Sequence, residues 1–423
     1  MTKIVAGLIG LGTVGSGVVE LLKKQDFITI KTIAVKDPNK QRPQIEGSTI
    51  TCNIEEIVND PQIELVIEVA GGIEPIYEHL KNAIKKGKHI VTANKKLLAT
   101  HGLELFALAQ KNSVRLLFEA SVAGGIPLIS TLQKGLPANE ILSVCGILNG
   151  TTNFILSKMS KEGTGYDEAL KEAQILGLAE SDPTDDVEGF DVAYKLCILS
   201  ALSFGQFIDP ISVQREGISR LKAEDVETAR RLNCSLKLIA LGRRDNLTEK
   251  IDLRVHPILV PNAHSLSGIS GANNAIIIEG SAAGKICLSG PGAGKLPTAS
   301  AVVGDVITLC QNKHLPLEQK SLKIKNKENK NKSKNKKSQC GFKNYLRLVL
   351  GASSKPGVLI SALAACKIIA LQIEHDGLLT YTMVTDSQSD EQIDKFRKTL
   401  ETYDIKVVSR LRILEDESFS LTA

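Results

Sequence analysis

The tightest constraint in this chain lies near its start. A short β-branched apolar run, KIVAGLI (residues 3–9), breaks into GLGTVG, which supplies Gly10, Gly12 and Gly15, and continues as SGVVELLKK with helical period. A strand, a glycine turn and a helix in that order form the arrangement that cradles a dinucleotide. Gly10 and Gly12 permit a tight turn and close approach of backbone to a pyrophosphate, Gly15 lets the helix lie near the strand, and the helix N-terminus faces the phosphates. The motif commits the first part of the chain to an α/β fold with a parallel sheet, so further strand and helix units must follow.

They do. The strand ITIKTIAV ends where such folds read the ribose, and the residue standing there is Lys36, followed by Asp37 and Arg42. A cation at that point favours a 2′-phosphate and hence NADP; it equally suits a solvated strand end. ELVIEVAGG (64–72) and KHIVTANKKLLA (88–99) read as central strands. Thr92 and Lys95 fall at the carboxyl end of the second, where open α/β sheets bind ligands, and Lys96 reads as a solvated neighbour. In VRLLFEASVAGGIPLI (114–129), Glu119 emerges as the strand gives out. On the residues alone it is a hydrogen-bonded strand-end acid; with the carbonyls of Val122, Gly124 and Ile126 the alternative is a weak cation site.

The stretch GLAESDPTDDVEGFDVAYK (177–195) crowds Glu180, Asp182, Asp185, Asp186, Glu188 and Asp191 together and ends on Lys195. It runs straight into the apolar LCILSALSFG, so its last charges sit where a helix enters a core. A helix beginning near Asp185 or Asp186 would place acids at its positive end. Asp191 and Lys195 would then lie one turn apart on one face, in the favourable acid-before-base order. A lysine held by a carboxylate against apolar surface is desolvated and restrained, and can act as a directed proton donor; an exposed i,i+4 pair is the plainer account.

With 423 residues the chain is long enough for two or three domains, and 43% hydrophobic with 23% charged residues is an ordinary soluble balance. The formal charge of +5 is misleading, because residues 320–337 hold nine lysines and one glutamate, so the remainder is mildly acidic and nucleic acid is not an expected partner. Eight cysteines are scattered singly, several within apolar runs, which points to a reducing compartment. No run approaches membrane-spanning length, and the amino-terminal apolar run ends in a glycine turn rather than a cleavage site; the expected location is cytoplasmic.

Beyond residue 130 the pattern changes. SVCGILNGTTNFILSKM gives a strand, an Asn-Gly turn and a helix, while EKIDLRVHPILVP, AIIIEGS and KICLSGPG read as strands of a second sheet. SGPGAGKLPT fails the phosphate-loop pattern, since Ser289 replaces the first glycine and Leu296 follows the lysine, and so reads as a turn capping a helix. The Lys/Asn-rich segment 319–340 cannot bury a core and reads as a disordered, self-repelling linker. The last seventy-five or so residues alternate strand and helix in ferredoxin-like order. The expected fold is α/β: a Rossmann-type parallel sheet domain over 1–130 completed by about 295–315, an α+β catalytic and dimerisation domain over 131–294, the linker, and a small domain over 341–417.

The blocks GLIGLGTVGSGV, TANKKLLA, FEASVAGGIPLI, GILNGTTNFIL, AESDPTDDVEGFDVAYKL and GAGKLPTASAVVGD, in that order, closely resemble homoserine dehydrogenase along almost the whole chain. The resemblance implies reversible hydride transfer between NAD(P)H and L-aspartate 4-semialdehyde, giving L-homoserine on the route to threonine and methionine. By motif it implies Lys195 as proton donor, Asp191 as the residue positioning it and the substrate, and Glu180 as a substrate-binding acid. Gly10, Thr13, Val14, Thr92 and Lys95 match cofactor positions, Lys95 also lying near the substrate, and Gly177 matches a nicotinamide contact. Glu119 with Val122, Gly124 and Ile126 matches a site for a monovalent cation, usually sodium. The C-terminal segment resembles an ACT domain, with Ser354 where that family usually has an acid before KPGVL; a dimerising role is expected, and the assembly implied is a homodimer or homotetramer.

Two rival readings remain on the residues. A reductase working through a cysteine thiohemiacetal would need Cys145, which sits in ILSVCGIL with no activating histidine close in sequence. An amino-acid sensor that kept the nucleotide fold for structure would have no use for a proton donor such as Lys195.

Overall fold

The strand runs predicted to be buried on both faces assemble into one wholly parallel sheet. Its strands are β1 (Ile4–Ile9), β2 (Ile28–Ala34), β3 (Thr49–Thr51), β4 (Leu65–Glu68), β5 (His89–Thr92) and β6 (Leu116–Leu117), in the order β3-β2-β1-β4-β5-β6. The computed structural model describes residues 3–40, 45–244, 250–312, 341–350, 368–375 and 379–414. Helices α1 (Thr13–Leu22), α2 (Glu55–Asn59), α3 (Ile76–Lys85) and α4 (Lys95–Lys111) connect the strands. The strand order reverses between β1 and β4, so the crevice beyond their carboxyl ends is where such a sheet takes a ligand.

Two glycines show why the turn after β1 needs its sequence. Gly10 has φ +99°, and a Cβ there would lie 2.8 Å from the backbone of Ala70 after β4. A Cβ on Gly15 would lie 2.2 Å from the Gly10 carbonyl, so α1 can approach β1 only because that atom is missing.

The second sheet begins with β7 (Ile141–Ile147) and continues through β8 (Gln214–Arg215), β9 (Cys234–Arg244), β10 (Ile251–Pro261), β11 (Asn273–Gly280) and β12 (Gly284–Pro291). The helices of this part are α5 (Leu128–Ser130), α6 (Gly150–Glu162), α7 (Tyr166–Ile175), α8 (Thr184–Val187), α9 (Phe190–Phe204) and α10 (Ala223–Arg231); α6, α9 and α10 pack on the strands, and α7 and α8 on those helices. α9 is almost entirely buried: Leu196 and Leu199 join Leu236, Leu238 and Leu253 of β9 and β10 in the main core. The chain then returns to the first sheet, where α11 (Lys295–Asn312) packs beside α1. Val18, Val302 and Val306 are fully buried in that contact, and each contributes roughly 1.5–3 kcal/mol.

The last strands are β13 (Phe342–Leu350), β14 (Ile368–His375), β15 (Leu379–Gln388) and β16 (Ile405–Ile413). Their order, β16-β13-β15-β14, is the ferredoxin-like one, and the helix Asp390–Glu401 buries Ile393, Phe396 and Leu400 against Leu346 and Leu348. These strands do not form a separate sheet. β16 runs parallel to β10, pairing Arg412 with Ile258 and Ile413 with Leu259, and the Leu414 N–H donates to the Leu259 carbonyl at 2.9 Å. One mixed sheet therefore spans both halves, ordered β12-β11-β7-β9-β10-β16-β13-β15-β14 with β8 beside β10. Segment 319–340, Arg42, Ser354 and the KPGVL turn lie outside the described residues.

The expected start of the lysine-bearing helix needs correction. Asp185 and Asp186 belong to the single turn α8; Gly189, at φ +75°, breaks the chain, and α9 begins at Phe190. The left-handed conformation at Gly189 ends one helix and starts the next, so only Asp191 remains in the first turn of α9. Among the described residues no helix is long and apolar enough to cross a membrane.

Candidate active site

The i,i+4 spacing in α9 brings Asp191 and Lys195 together inside the protein. Lys195 Nζ donates to Asp191 Oδ2 at 2.6 Å and to the Leu148 carbonyl at 2.7 Å, and the two residues are 8% and 2% exposed. Leu148 lies just beyond β7, and the next residue, Asn149, caps α6 by accepting the Thr152 N–H on Oδ1. That leaves its amide nitrogen free to reach Asp191 Oδ2 at 2.9 Å and Asp186 Oδ1 at 2.7 Å. From the first sheet, Lys95 at the start of α4 forms an ion pair with Asp191 Oδ1 at 2.5 Å. One carboxylate thus joins the carboxyl end of β5 to α9 across the two halves of the molecule.

Electrostatics follow from that packing. Burial would push the Asp191 carboxyl up, but the ammonium groups of Lys195 and Lys95, with Asn149, outweigh it and hold the group below the ordinary carboxylate range. Burial lowers the Lys195 pKa, with Asp191 opposing and Lys95 adding to the shift. Asp191 raises that of the half-exposed Lys95. Asp186 is pushed up by burial and by Asp191. The result is a fixed anion flanked by two ammonium groups, of which the buried one is the more acidic, a setting suited to handing over a proton.

The residues expected to meet the cofactor lie on several elements. Gly12, Thr13, Val14 and Gly15 form the first turn of α1, which has no side-chain cap and no acidic residue. Its unpaired amides fit a phosphate, and the Gly10 turn is shaped for close backbone approach. Thr92, 1% exposed at the end of β5, bonds Glu68 Oε2 at 2.5 Å. Lys36 lies exposed just past β2. Gly177, at φ +69°, follows the C-terminus of α7 on the surface.

Three placements differ from what the sequence alone suggested. Lys96 is not merely solvated: it pairs with Asp185 and its ammonium lies 5.7 Å from the centre of the Tyr194 ring. Glu180 is exposed, and its side chain has no hydrogen bond or ion pair to the lysine cluster among the described residues. Asn149 and Asp186 join the cluster although neither was singled out. The Asn-Gly break before an apolar helix was the available signal for Asn149, since a capping asparagine uses its oxygen and keeps two donors to spare.

Glu119 opens a short turn after β6 and is buried; its two oxygens accept the N–H groups of Ile129 and Ser130, each at 2.8 Å. The backbone amide of Glu119 donates to Asp305 Oδ2 at 2.8 Å, and burial pushes Asp305 up to about 7. The Val122, Gly124 and Ile126 carbonyls follow in the same loop, with that of Ile126 accepting from Leu128. Among the described residues no group of three or more His, Cys, Asp or Glu side chains could hold a metal. One carboxylate with several carbonyls, each oxygen keeping a lone pair, suits a singly charged hard cation. Cys145 lies on β7, where burial pushes its thiol up to about 12, against a role as nucleophile.

A parallel sheet with a dinucleotide turn, joined to a buried lysine and carboxylate pair, defines an NAD(P)-dependent oxidoreductase. The family described as homoserine dehydrogenase, NAD binding domain, matches residues 10–119, and that described as homoserine dehydrogenase matches residues 127–307. The homoserine dehydrogenase of Bacillus subtilis (strain 168) is 40% identical over 434 residues, covering 97% of this chain and 98% of that protein. The crystal structure of a homoserine dehydrogenase from Thiobacillus denitrificans superimposes with a TM-score of 0.89 at 36% identity, covering 98% of this chain and 99% of that one. A hyperthermophilic archaeal homoserine dehydrogenase in complex with NADPH gives a TM-score of 0.64 at 27% identity over 75% of this chain and all of its own. The chain belongs to the homoserine dehydrogenase family.

Proposed function

We propose a division of labour among these residues for the family's reaction, the reversible NAD(P)H-dependent reduction of L-aspartate 4-semialdehyde to L-homoserine. When bound, the nicotinamide dinucleotide supplies the hydride that reduces the aldehyde carbon. Lys195 gives a proton to the aldehyde oxygen as negative charge develops there, leaving a hydroxyl on the product and a neutral amine on the enzyme. In the reverse direction the neutral amine takes the hydroxyl proton.

The observation that carries this reading is the Lys195 ammonium, buried and committed to Asp191 and Leu148. Of its three N–H groups two are taken, and the third is left for substrate oxygen. Its lowered pKa makes it a better acid than a solvated lysine. Asp191 holds it charged and aimed, and Glu180 binds the substrate's ammonium while Lys95 balances its carboxylate. Gly10, Gly12, Thr13, Val14 and Gly15 receive the pyrophosphate, Thr92, Lys95 and Gly177 flank the nicotinamide, and Lys36 selects for the 2′-phosphate of NADP. Glu119 with the Val122, Gly124 and Ile126 carbonyls holds sodium.

The same reading divides the chain into a nucleotide domain (1–130, completed by about 295–315), a catalytic and dimerisation domain (131–294) and an ACT-like domain (341–417), working in the cytoplasm as a homodimer or homotetramer. Absorbance of reduced nicotinamide during homoserine oxidation with NADP or NAD tests the activity. Lys195→Ala is expected to lower kcat by roughly 10²–10⁴-fold with the fold intact. Near-normal turnover in that variant would remove Lys195 from the chemistry.

A further inference from the structure

We infer that Glu68 is a positioning residue for this reaction: it ties the dinucleotide turn and the helix that presents Lys95 into one unit, and so sets the nicotinamide crevice against the Lys195 and Asp191 pair. It rests on the reading above, in which the dinucleotide lies along Gly10 and Lys195 is the proton donor.

Glu68 closes β4 and is fully buried. Among the described residues it has no cationic partner. Its Oε1 instead accepts the Ala70 and Gly71 N–H groups, each at 2.9 Å, and its Oε2 meets Thr92 Oγ1 at 2.5 Å. Burial pushes this carboxyl up against those hydrogen bonds. A buried carboxyl without a cation is costly, and apolar residues would fill the place more favourably if packing were all that was required.

What the carboxyl joins gives it a purpose. The turn at Ala70 is the surface against which Gly10 lies, as the 2.8 Å clash of a Cβ there shows. On the other side, Thr92 Oγ1 accepts the Asn94 N–H at 3.0 Å. Asn94 in turn caps α4 by accepting the Leu97 N–H at 3.1 Å, and its amide returns to the Gly72 carbonyl at 2.6 Å. That closes a ring of hydrogen bonds around the mouth of the crevice, and the first residue of α4 is Lys95, ion-paired with Asp191. A continuous path therefore runs from the phosphate turn through Ala70, Glu68, Thr92, Asn94, Lys95 and Asp191 to Lys195. Hydride transfer needs donor and acceptor atoms held in reach and alignment, and small displacements are expensive. Glu119 is the contrasting case: also a buried acid just past a strand, but the backbone amides its two oxygens accept, those of Ile129 and Ser130, belong to the single nearby turn of α5 and link no second strand end.

The test uses the full chain with Glu68→Gln, which keeps an acceptor for Ala70 and Gly71 but must reverse the Thr92 bond, and Asn94→Ala, which removes the link to Gly72 and the cap of α4 without changing a residue assigned to the cofactor. Both are expected to raise the cofactor KM by about 3–10-fold, lower kcat by about 10-fold and increase the isotope effect seen with nicotinamide-deuterated cofactor, with the protein still folded. A cofactor KM and isotope effect both unchanged in Glu68→Gln, with or without a lower melting midpoint, would make Glu68 a support of the fold alone and overturn the inference. An active Lys195→Ala variant would overturn the proton-donor reading separately, because the cofactor KM of Glu68→Gln does not depend on which group gives the proton.

Discussion

Asp191 and Asp390 are both carboxylates ringed by cations, the first buried and the second partly exposed, but the cations differ. Around Asp191 they are Lys95 and Lys195. Around Asp390, at the start of the helix Asp390–Glu401, they are arginines: Arg254 of β10 at 2.6 Å, Arg412 of β16 at 3.0 Å, and Arg410. Arg254 also forks onto Asp252 at 2.9 Å from each oxygen, and Arg412 reaches Glu216 at 2.8 Å. In each cluster burial would raise the central carboxyl, and the neighbouring cations hold it below its ordinary range.

Guanidinium groups keep their protons at every accessible pH and offer a planar fork, so the arginine cluster fixes where the C-terminal strands meet the catalytic sheet. Ammonium groups can give a proton up, and burial makes that easier for Lys195. On the proposed reading, the same charge pattern suits attachment in one place and proton transfer in the other, decided by which cation surrounds the acid.

The comparison breaks most sharply if the cations are exchanged. Lys195→Arg preserves the charge beside Asp191 but cannot shed a proton, so kcat is expected to fall roughly 10²–10⁴-fold in both directions. It should also flatten the pH profile. If Lys195 is the proton donor as proposed, homoserine oxidation by the native protein is expected to rise as pH increases through its lowered pKa, and aldehyde reduction to fall over the same interval. Initial rates in both directions, measured across pH, would follow both.

Removing the other acid should affect stability instead. Asp390→Ala leaves three arginines facing each other and is expected to cost about 3 kcal/mol, read from urea unfolding, with kcat changed by less than about threefold while the protein is folded. The sign with pH follows from the depressed carboxyl: its contribution is complete above about pH 4 and is lost only as pH falls further toward the folded-state value. Smallest is Glu180→Ala, expected to raise the homoserine KM about tenfold with kcat nearly unchanged, because Glu180 is exposed and belongs to neither ring. A large kcat loss there would extend the proton-handling cluster to a third acid.

Much of the first sheet was legible because its signals are local. Gly10, Gly12 and Gly15 sit within six residues, and β1 reads as an unbroken apolar run beside them, whereas the three-residue β3 gave no signal. The Asp191 and Lys195 pair was legible for the same reason, since four residues on a helix bring side chains together. Contacts made by distant segments were not. Nothing near Lys95 announces Asp191, ninety-odd residues on, and nothing near Arg254 announces Asp390. The start of α9 was misplaced because the helix was expected to begin near Asp185 or Asp186, and the left-handed backbone at Gly189 that separates two helices went unread. Glu68 passed unnoticed inside ELVIEVAGG, where an acid between Ile67 and Val69 gives no hint that its partners are backbone amides two and three residues on.

The parallel pairing of β10 with β16 also bears on how the chain is made. β10 ends at Pro261 and its neighbour begins at Ile405, so during synthesis the catalytic sheet emerges from the ribosome with part of one edge unpaired. An open edge of Val, Ile and Leu is a template for pairing with other nascent chains. Cutting away the final strands would restore that hazard permanently, and a shortened enzyme that precipitates would be reporting a bare strand rather than a lost activity.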